Sequence, residues 1–167
     1  MGRDMLKRRD APGRVPSPLV DRLLQKHRIV SIDTGIFIYF VEQHPRYYSF
    51  CESLFKNIEV GNIQASTSTL SLLEILVQPY KLKRDELVLK FYSLLTPYPN
   101  LSWIELSINI ADLAARLRGK YNLKTPDSIQ VASAVSSGAT GLICNDRAFK
   151  KVKEIECIVI DDYLSAK

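Results

Sequence analysis

Four carboxylates, Asp33, Glu74, Asp127 and Asp146, stand at the edges of apolar segments, and any fold of this chain has to account for all four. Asp33 follows Ile29-Val30-Ser31-Ile32. Glu74 interrupts Leu70-Ser71-Leu72-Leu73 and is followed by Ile75-Leu76-Val77. Asp127 opens Ser128-Ile129-Gln130-Val131-Ala132, and Asp146 follows Gly141-Leu142-Ile143-Cys144. A lone carboxylate in apolar surroundings is costly, because desolvation disfavours its charged form. Four such residues make sense in a fold that draws distant segment ends together around a common cation.

The remaining pattern says which fold that is. Short apolar runs at residues 29–33, 63–66, 101–106, 141–145 and 157–160 read as strands. Between them lie helical periods at 34–42, 46–60, 84–95, 107–121 and 125–138. A further helix starts at Thr67 or Ser68 and runs to Val77, with Pro79 expected to break it. Ser17-Pro18 reads as a helix start, with Ser at the N-cap, and opens a short helix to about His27. Alternating strands and helices predict an α/β fold: a parallel β-sheet of about four to five strands flanked by helices on both faces. Ligands of such folds sit at the carboxyl ends of the strands. Asp33 and Asp146 fall at two such ends, and Asp127 lies in a first helical turn, where the macrodipole favours negative charge.

A chain of 167 residues is expected to form one domain with a substantial core. No apolar run approaches the roughly 20 residues of a membrane span, so a cytoplasmic protein with no membrane contact is expected. Cys51, Cys144 and Cys157 are odd in number and form no CxxC pair, which fits reduced thiols. The net charge of +5 is uneven. Residues 1–27 hold seven Lys and Arg against three Asp, while the rest of the chain is nearly balanced. Residues 1–16 read as a disordered basic arm, residues 17–27 as a short helix and residues 28–167 as the functional domain.

Grouped carboxylates repel one another, and a hard dication such as Mg²⁺ or Mn²⁺ relieves that repulsion. It also supplies a Lewis acid for phosphoryl chemistry. His27 and His44 lie far in sequence from the acids and read as solvated. Each acid also has an ordinary reading: Asp33 as a strand-end carboxylate, Asp127 as a helix-terminus charge, Asp146 as a turn residue. Glu74 fits such a reading least, because its helical neighbours Leu70, Leu73 and Val77 are apolar.

The same positions resemble the PIN-domain nucleases, and among them the small VapC-like toxins of toxin–antitoxin pairs. The resemblance rests on four segments: Ile32-Asp33-Thr34, Leu73-Glu74-Ile75, Thr125-Pro126-Asp127-Ser128 with Ala132 and Ala134, and Cys144-Asn145-Asp146-Arg147-Ala148-Phe149. It spans about residues 29–162, with the acids separated by 41, 53 and 19 residues. It implies a PIN-like parallel sheet and a Mg²⁺- or Mn²⁺-dependent endoribonuclease that hydrolyses RNA phosphodiesters, with an antitoxin partner and a homodimer as expected assemblies. It implies Asp33, Glu74, Asp127 and Asp146 as catalytic metal ligands, supported by Thr34 and Asn145. Ala148 stands where some members carry another Asp, so one tightly held dication is expected rather than two. Cys144 replaces a frequent Thr or Ser and offers at most a weak thiol donor. About 28 residues precede the first strand, where these toxins usually begin. The alternative reading is a catalytically inactive PIN-like module that binds RNA or protein.

Basic residues lie near three of the four acids. Arg147 and Lys124 are expected to lead a subset that contacts RNA phosphates, with the others forming solvated helix surface. The aromatic stretch from Phe37 to Phe55 is divided in the same way. Phe37, Phe40 and Phe55 read as core; the tyrosines among them read first as core too, with a partner-facing surface as the second reading.

Overall fold

A computed structural model describes residues 17–164, so the arm expected over residues 1–16 lies outside the described residues. The chain runs through α1 (Pro18–Lys26), β1 (Ile29–Ile32), α2 (Thr34–Val41), α3 (Tyr48–Glu59), β2 (Gln64–Ser68), α4 (Thr69–Lys81) and α5 (Asp85–Leu95). It continues through β3 (Leu101–Ile104), α6 (Ile108–Tyr121), α7 (Thr125–Ser136), β4 (Gly141–Cys144) and β5 (Glu156–Val159). All five strands are parallel, in the order β3-β2-β1-β4-β5. The expected α/β architecture is what forms.

Helix ends follow from local chemistry. Ser17 caps α1 by accepting from the Val20 amide, Ser68 caps α4 from Leu70, and Ser107 caps α6 from Ile110. Asn122 ends α6 in the left-handed region, a conformation its short polar side chain tolerates. One expectation fails here. Helix α4 does not break at Pro79 but runs through it to Lys81, and Pro79 is buried. A proline removes one ladder hydrogen bond. At the last turn of a helix packed against a core, that loss is small beside the apolar surface it buries.

Alternation along the strands separates two cores. Ile143 joins the cluster built with α1 to α5, while its neighbours Leu142 and Cys144 join the one built with α6 and α7. Successive strand residues point to opposite faces, so the two clusters lie on opposite sides of the sheet. The first face holds packed aromatics: Phe40 stacked over Phe55 at 4.2 Å, and Tyr39 tilted against Tyr47 at 4.4 Å. Phe37, Tyr47, Phe50 and Phe55 are buried and Tyr39, Phe40 and Tyr48 half-buried, in line with the core reading of the stretch. The tyrosines cluster because this face needs large apolar bodies whose hydroxyls can still reach partners. Tyr47, for example, donates to Asp161 at 2.9 Å.

The reading of His27 as solvated is also corrected. It is buried behind α1, with Nδ1 at 2.8 Å from Thr140 Oγ1 and Nε2 at 3.3 Å from a Glu156 carboxylate oxygen. Burial lowers its pKa, and Glu156 opposes that shift. The ring sits at the amino ends of β4 and β5, the opposite end of the sheet from Asp33. It leaves no room for a side chain at Gly141, where a Cβ would lie 2.8 Å from Ile158 Cδ1 and 3.0 Å from His27 Cε1. Gly141→Ala is therefore expected to destabilise the protein by about 1–3 kcal/mol in chemical denaturation, through overpacking.

Candidate active site

Strands β2 and β3 lie on one side of β1, and β4 and β5 on the other. The chain reverses its direction of winding at β1, and the crevice beyond the carboxyl ends of β1 and β4 is the topological switch point. Three of the four acids are delivered to this end by the elements that carry them. Asp33 leaves β1 directly, held by its amide on the Ile143 carbonyl of β4 at 3.0 Å. Asp146 follows β4 by two residues. Asp127 lies in the first turn of α7.

Glu74 arrives from α4 for a different reason than its neighbours suggested. Leu73 and Val77 are 63% and 40% exposed, so Glu74 does not interrupt a buried stripe. Its anchor is the hydroxyl of the buried Thr34, which donates to Glu74 Oε2.

The four carboxylates share one electrostatic environment. The pKa of Asp33 is pushed up to about 6, mainly by burial. The Thr34 amide partly offsets this, and the charges of Glu74, Asp127 and Asp146 add to it. Asp127 is also raised, first by burial and then by Asp146. Glu74 adds to the shift, while Lys124 and Lys151 pull the other way. Asp33 sits at the N-cap of α2 without a side-chain capping bond, and the amide its carboxyl meets is that of Thr34, as the ordinary strand-end reading also has it. Asp146 does serve as a cap: its Oδ1 accepts from the Ala148 amide at 2.8 Å, at the head of a 3₁₀ turn over Arg147–Lys151.

The donor set is four carboxylates on four separate elements, which is the chemistry of a hard dication. Among the described residues, no three His, Cys, Asp or Glu side chains stand close enough together to hold a metal as they are placed.

The supporting residues divide. Thr34 touches an acid directly. Asn145 does not: its Oδ1 accepts from the Asp161 amide at 3.2 Å and its Nδ2 approaches the Tyr39 hydroxyl at 3.5 Å, tying the β4 exit to the C-terminal segment. The Cys144 thiol donates to the Asp146 carbonyl at 3.5 Å, the weak donor expected where a hydroxyl is missing. Its sulfur also lies 3.5 Å from that of Cys157, and both thiols are free. Arg147 is turned to Asp162, which also takes Lys150, so its charge is already paired. Lys124 and Lys151 are the cations whose fields reach Asp127. Sequence reasoning missed Ser71 and Gln130. Both are buried, and both belong to a hydrogen-bond network under Thr34. A glutamine inside the apolar run Ile129–Ala132 was the available signal, since a buried amide needs partners.

A parallel α/β sheet with acids gathered at its switch point defines a class of proteins that work on ligands at that crevice. The comparisons are more specific. The model of the PIN domain family matches residues 30–155, and the chain belongs to that family. Among solved structures, it is similar to a chain of the VapBC2 complex from Rickettsia felis bound to a DNA fragment from its promoter. That match has 22% identity and a TM-score of 0.60, and covers 77% of this chain and 96% of that one. It is also similar to a chain of a toxin–antitoxin complex from Klebsiella pneumoniae. Here the identity is 22% and the TM-score 0.56, with 75% of this chain and 94% of that one covered. No curated protein matches the sequence significantly. Among the described residues, no helix is long and apolar enough to cross a membrane.

Proposed function

We propose that this protein is a Mg²⁺- or Mn²⁺-dependent endoribonuclease of the toxin type. The observation that carries the proposal is the half-buried Asp33 at the end of β1, its carboxyl pushed up to about 6 by desolvation and by the charges of Glu74, Asp127 and Asp146. A structural role does not call for such an arrangement, whereas a dication relieves it. Asp33, Glu74, Asp127 and Asp146 would hold the ion. When bound, it supplies Lewis acidity, acidifying a water and polarising a phosphoryl oxygen. Thr34 keeps Glu74 turned into the site through its hydroxyl. Lys124 and Lys151 flank Asp127 and would draw the RNA backbone toward the acids.

The similar solved complexes are toxin–antitoxin assemblies. By analogy we assign an antitoxin partner to this chain. Leu73, Val77 and Tyr80 are exposed along α4, and Leu89 and Tyr92 on α5, which supplies apolar surface for it to cover. The non-cutting alternative is favoured by one observation: Asp146 spends an oxygen on a backbone cap, as a turn residue would.

Incubation of structured and unstructured RNAs with the purified chain separates the two readings. Cleavage with Mn²⁺, lost in EDTA and in Asp33→Ala, supports the enzyme. Binding without cleavage under all conditions supports the module. A second expectation concerns the cations. Lys124→Ala/Lys151→Ala is expected to weaken RNA binding and to reduce its salt-dependence slope by about 1.4, at roughly 0.7 per phosphate contact on a single strand. Arg147→Ala is expected to change the slope less, because Asp162 already neutralises that side chain.

A further inference from the structure

Below the acids lies a buried hydrogen-bond network to which Asp33 and Glu74 are attached. Thr67 and Ser71 are 0% exposed, Gln130 3% and Thr34 8%. The Gln130 Nε2 donates to the Ile32 carbonyl at 2.9 Å, and the Thr67 hydroxyl reaches the same carbonyl at 2.8 Å. The Ser71 hydroxyl donates to Gln130 Oε1 at 3.3 Å. Thr34 Oγ1 lies 3.1 Å and Thr67 Oγ1 2.9 Å from the Ser71 oxygen, and each of these hydroxyls has one proton for two acceptors.

The protons in this network can be counted. A hydroxyl has one proton, and a primary amide has donors on nitrogen only. The carbonyl of Ile32 is an acceptor, so the amide of Gln130 must turn its nitrogen there and its oxygen to Ser71. A flipped amide would set two acceptors face to face. The one proton of Ser71 is then used on Gln130, and its lone pairs face the two threonines. The proton of Thr34 has Ser71 Oγ and Glu74 Oε2 before it, and both accept. Thr34 is thereby a donor toward the acid.

The same amide acts on Asp33. The peptide between Ile32 and Asp33 is held at both ends: Gln130 donates to its carbonyl, which shares the one proton of Thr67 with the Ser71 hydroxyl, and Ile143 takes its amide. One side chain on α7 thus reaches Asp33 through the peptide before it, and Glu74 through Ser71 and Thr34.

We infer that Gln130 and Ser71 are positioning residues that fix the Asp33 and Glu74 carboxylates for a divalent cation. The inference rests on the proposed function. Neither residue touches the ion or the substrate. Partners behind metal ligands typically cost 10–100-fold in affinity when removed. The network links the two residues in series, so their losses should not add.

The test uses Gln130→Met, Ser71→Ala and the double variant in the full chain. Calorimetric Mn²⁺ titration at pH 8 gives affinity, melting in EDTA gives metal-free stability, and cleavage of a short RNA gives kcat and KM. Each single variant is expected to bind Mn²⁺ about 10-fold more weakly. The double variant should be no weaker than the worse single one, and kcat should fall with KM for RNA unchanged. Should Gln130→Met fail to fold, Ser71→Ala carries the same expectation alone. Folded variants that bind Mn²⁺ as tightly as the wild type overturn the inference, whatever their melting temperature, and leave the proposed function standing. A wild-type protein that takes up no Mn²⁺ and cuts no RNA overturns both.

Discussion

Replacing Asp33 by asparagine is expected to abolish RNA cleavage, by at least about 10³-fold, and in the same step to stabilise the metal-free fold at pH 8. The two effects share one cause. The Asp33 carboxyl titrates at about 6 in the fold, against an ordinary value of 3.8, chiefly because it is buried. A group whose folded value is raised contributes stability that is complete below the ordinary value and is lost as pH rises through the folded one. The contribution of Asp33 to the stability of the metal-free wild type is therefore lost between about pH 4 and pH 7. At 1.36 kcal/mol per pKa unit, the loss is roughly 2–3 kcal/mol. The amide of Asp33→Asn would fill the same space without a charge and escape that loss. Thermal melts in EDTA should show no difference between the two proteins at pH 4 and an advantage of about 5 °C for the variant at pH 8. An inactive variant that melts lower at pH 8 would mean that Asp33 holds the fold together instead.

Asp146 separates charge from capping. Its Oδ1 accepts from the Ala148 amide, a role that an asparagine can also fill. Asp146→Asn is expected to keep the 3₁₀ turn and the melting temperature while reducing cleavage by about 10²–10³-fold. Asp146→Ala should lose activity to the same degree and in addition about 1 kcal/mol of stability, the cost of a missing cap. Equal activity in Asp146→Asn and wild type would reduce this residue to the turn role that its sequence context, Asn-Asp-Arg, always allowed. Protection of the 3₁₀ segment in hydrogen exchange gives an independent readout of the cap.

The sheet and the placement of three acids were legible because their signals are local. Gly141–Cys144 is a continuous apolar run and Ile29–Ile32 is one but for Ser31, as strands covered on both faces tend to be, and each ends at or near an Asp. What failed was what depends on distant partners. Pro79 reads as a stop, yet its helix is held by packing that no short window contains. Leu73 and Val77 look like a buried face around Glu74 and are exposed, while the contact that places Glu74 comes from Thr34, forty residues away. Arg147 looks like a free cation beside the last acid. Its partner, Asp162, lies on the segment that returns past β5. His27 looks solvated until Thr140 and Glu156 close over it. Ser71 and Gln130 carried the faintest signal. They are ordinary residues in apolar helices, and only the tertiary fold shows that they are joined beneath the acids.

The four acids together are expected to hold a divalent cation. Calorimetric titration of Mn²⁺ into the wild type and into Asp33→Asn at pH 8 tests it most directly. The expected result is uptake of about one Mn²⁺ per chain by the wild type and affinity at least about 10-fold weaker in the variant. Absence of uptake by a folded wild-type protein, or equal uptake by both, would contradict it.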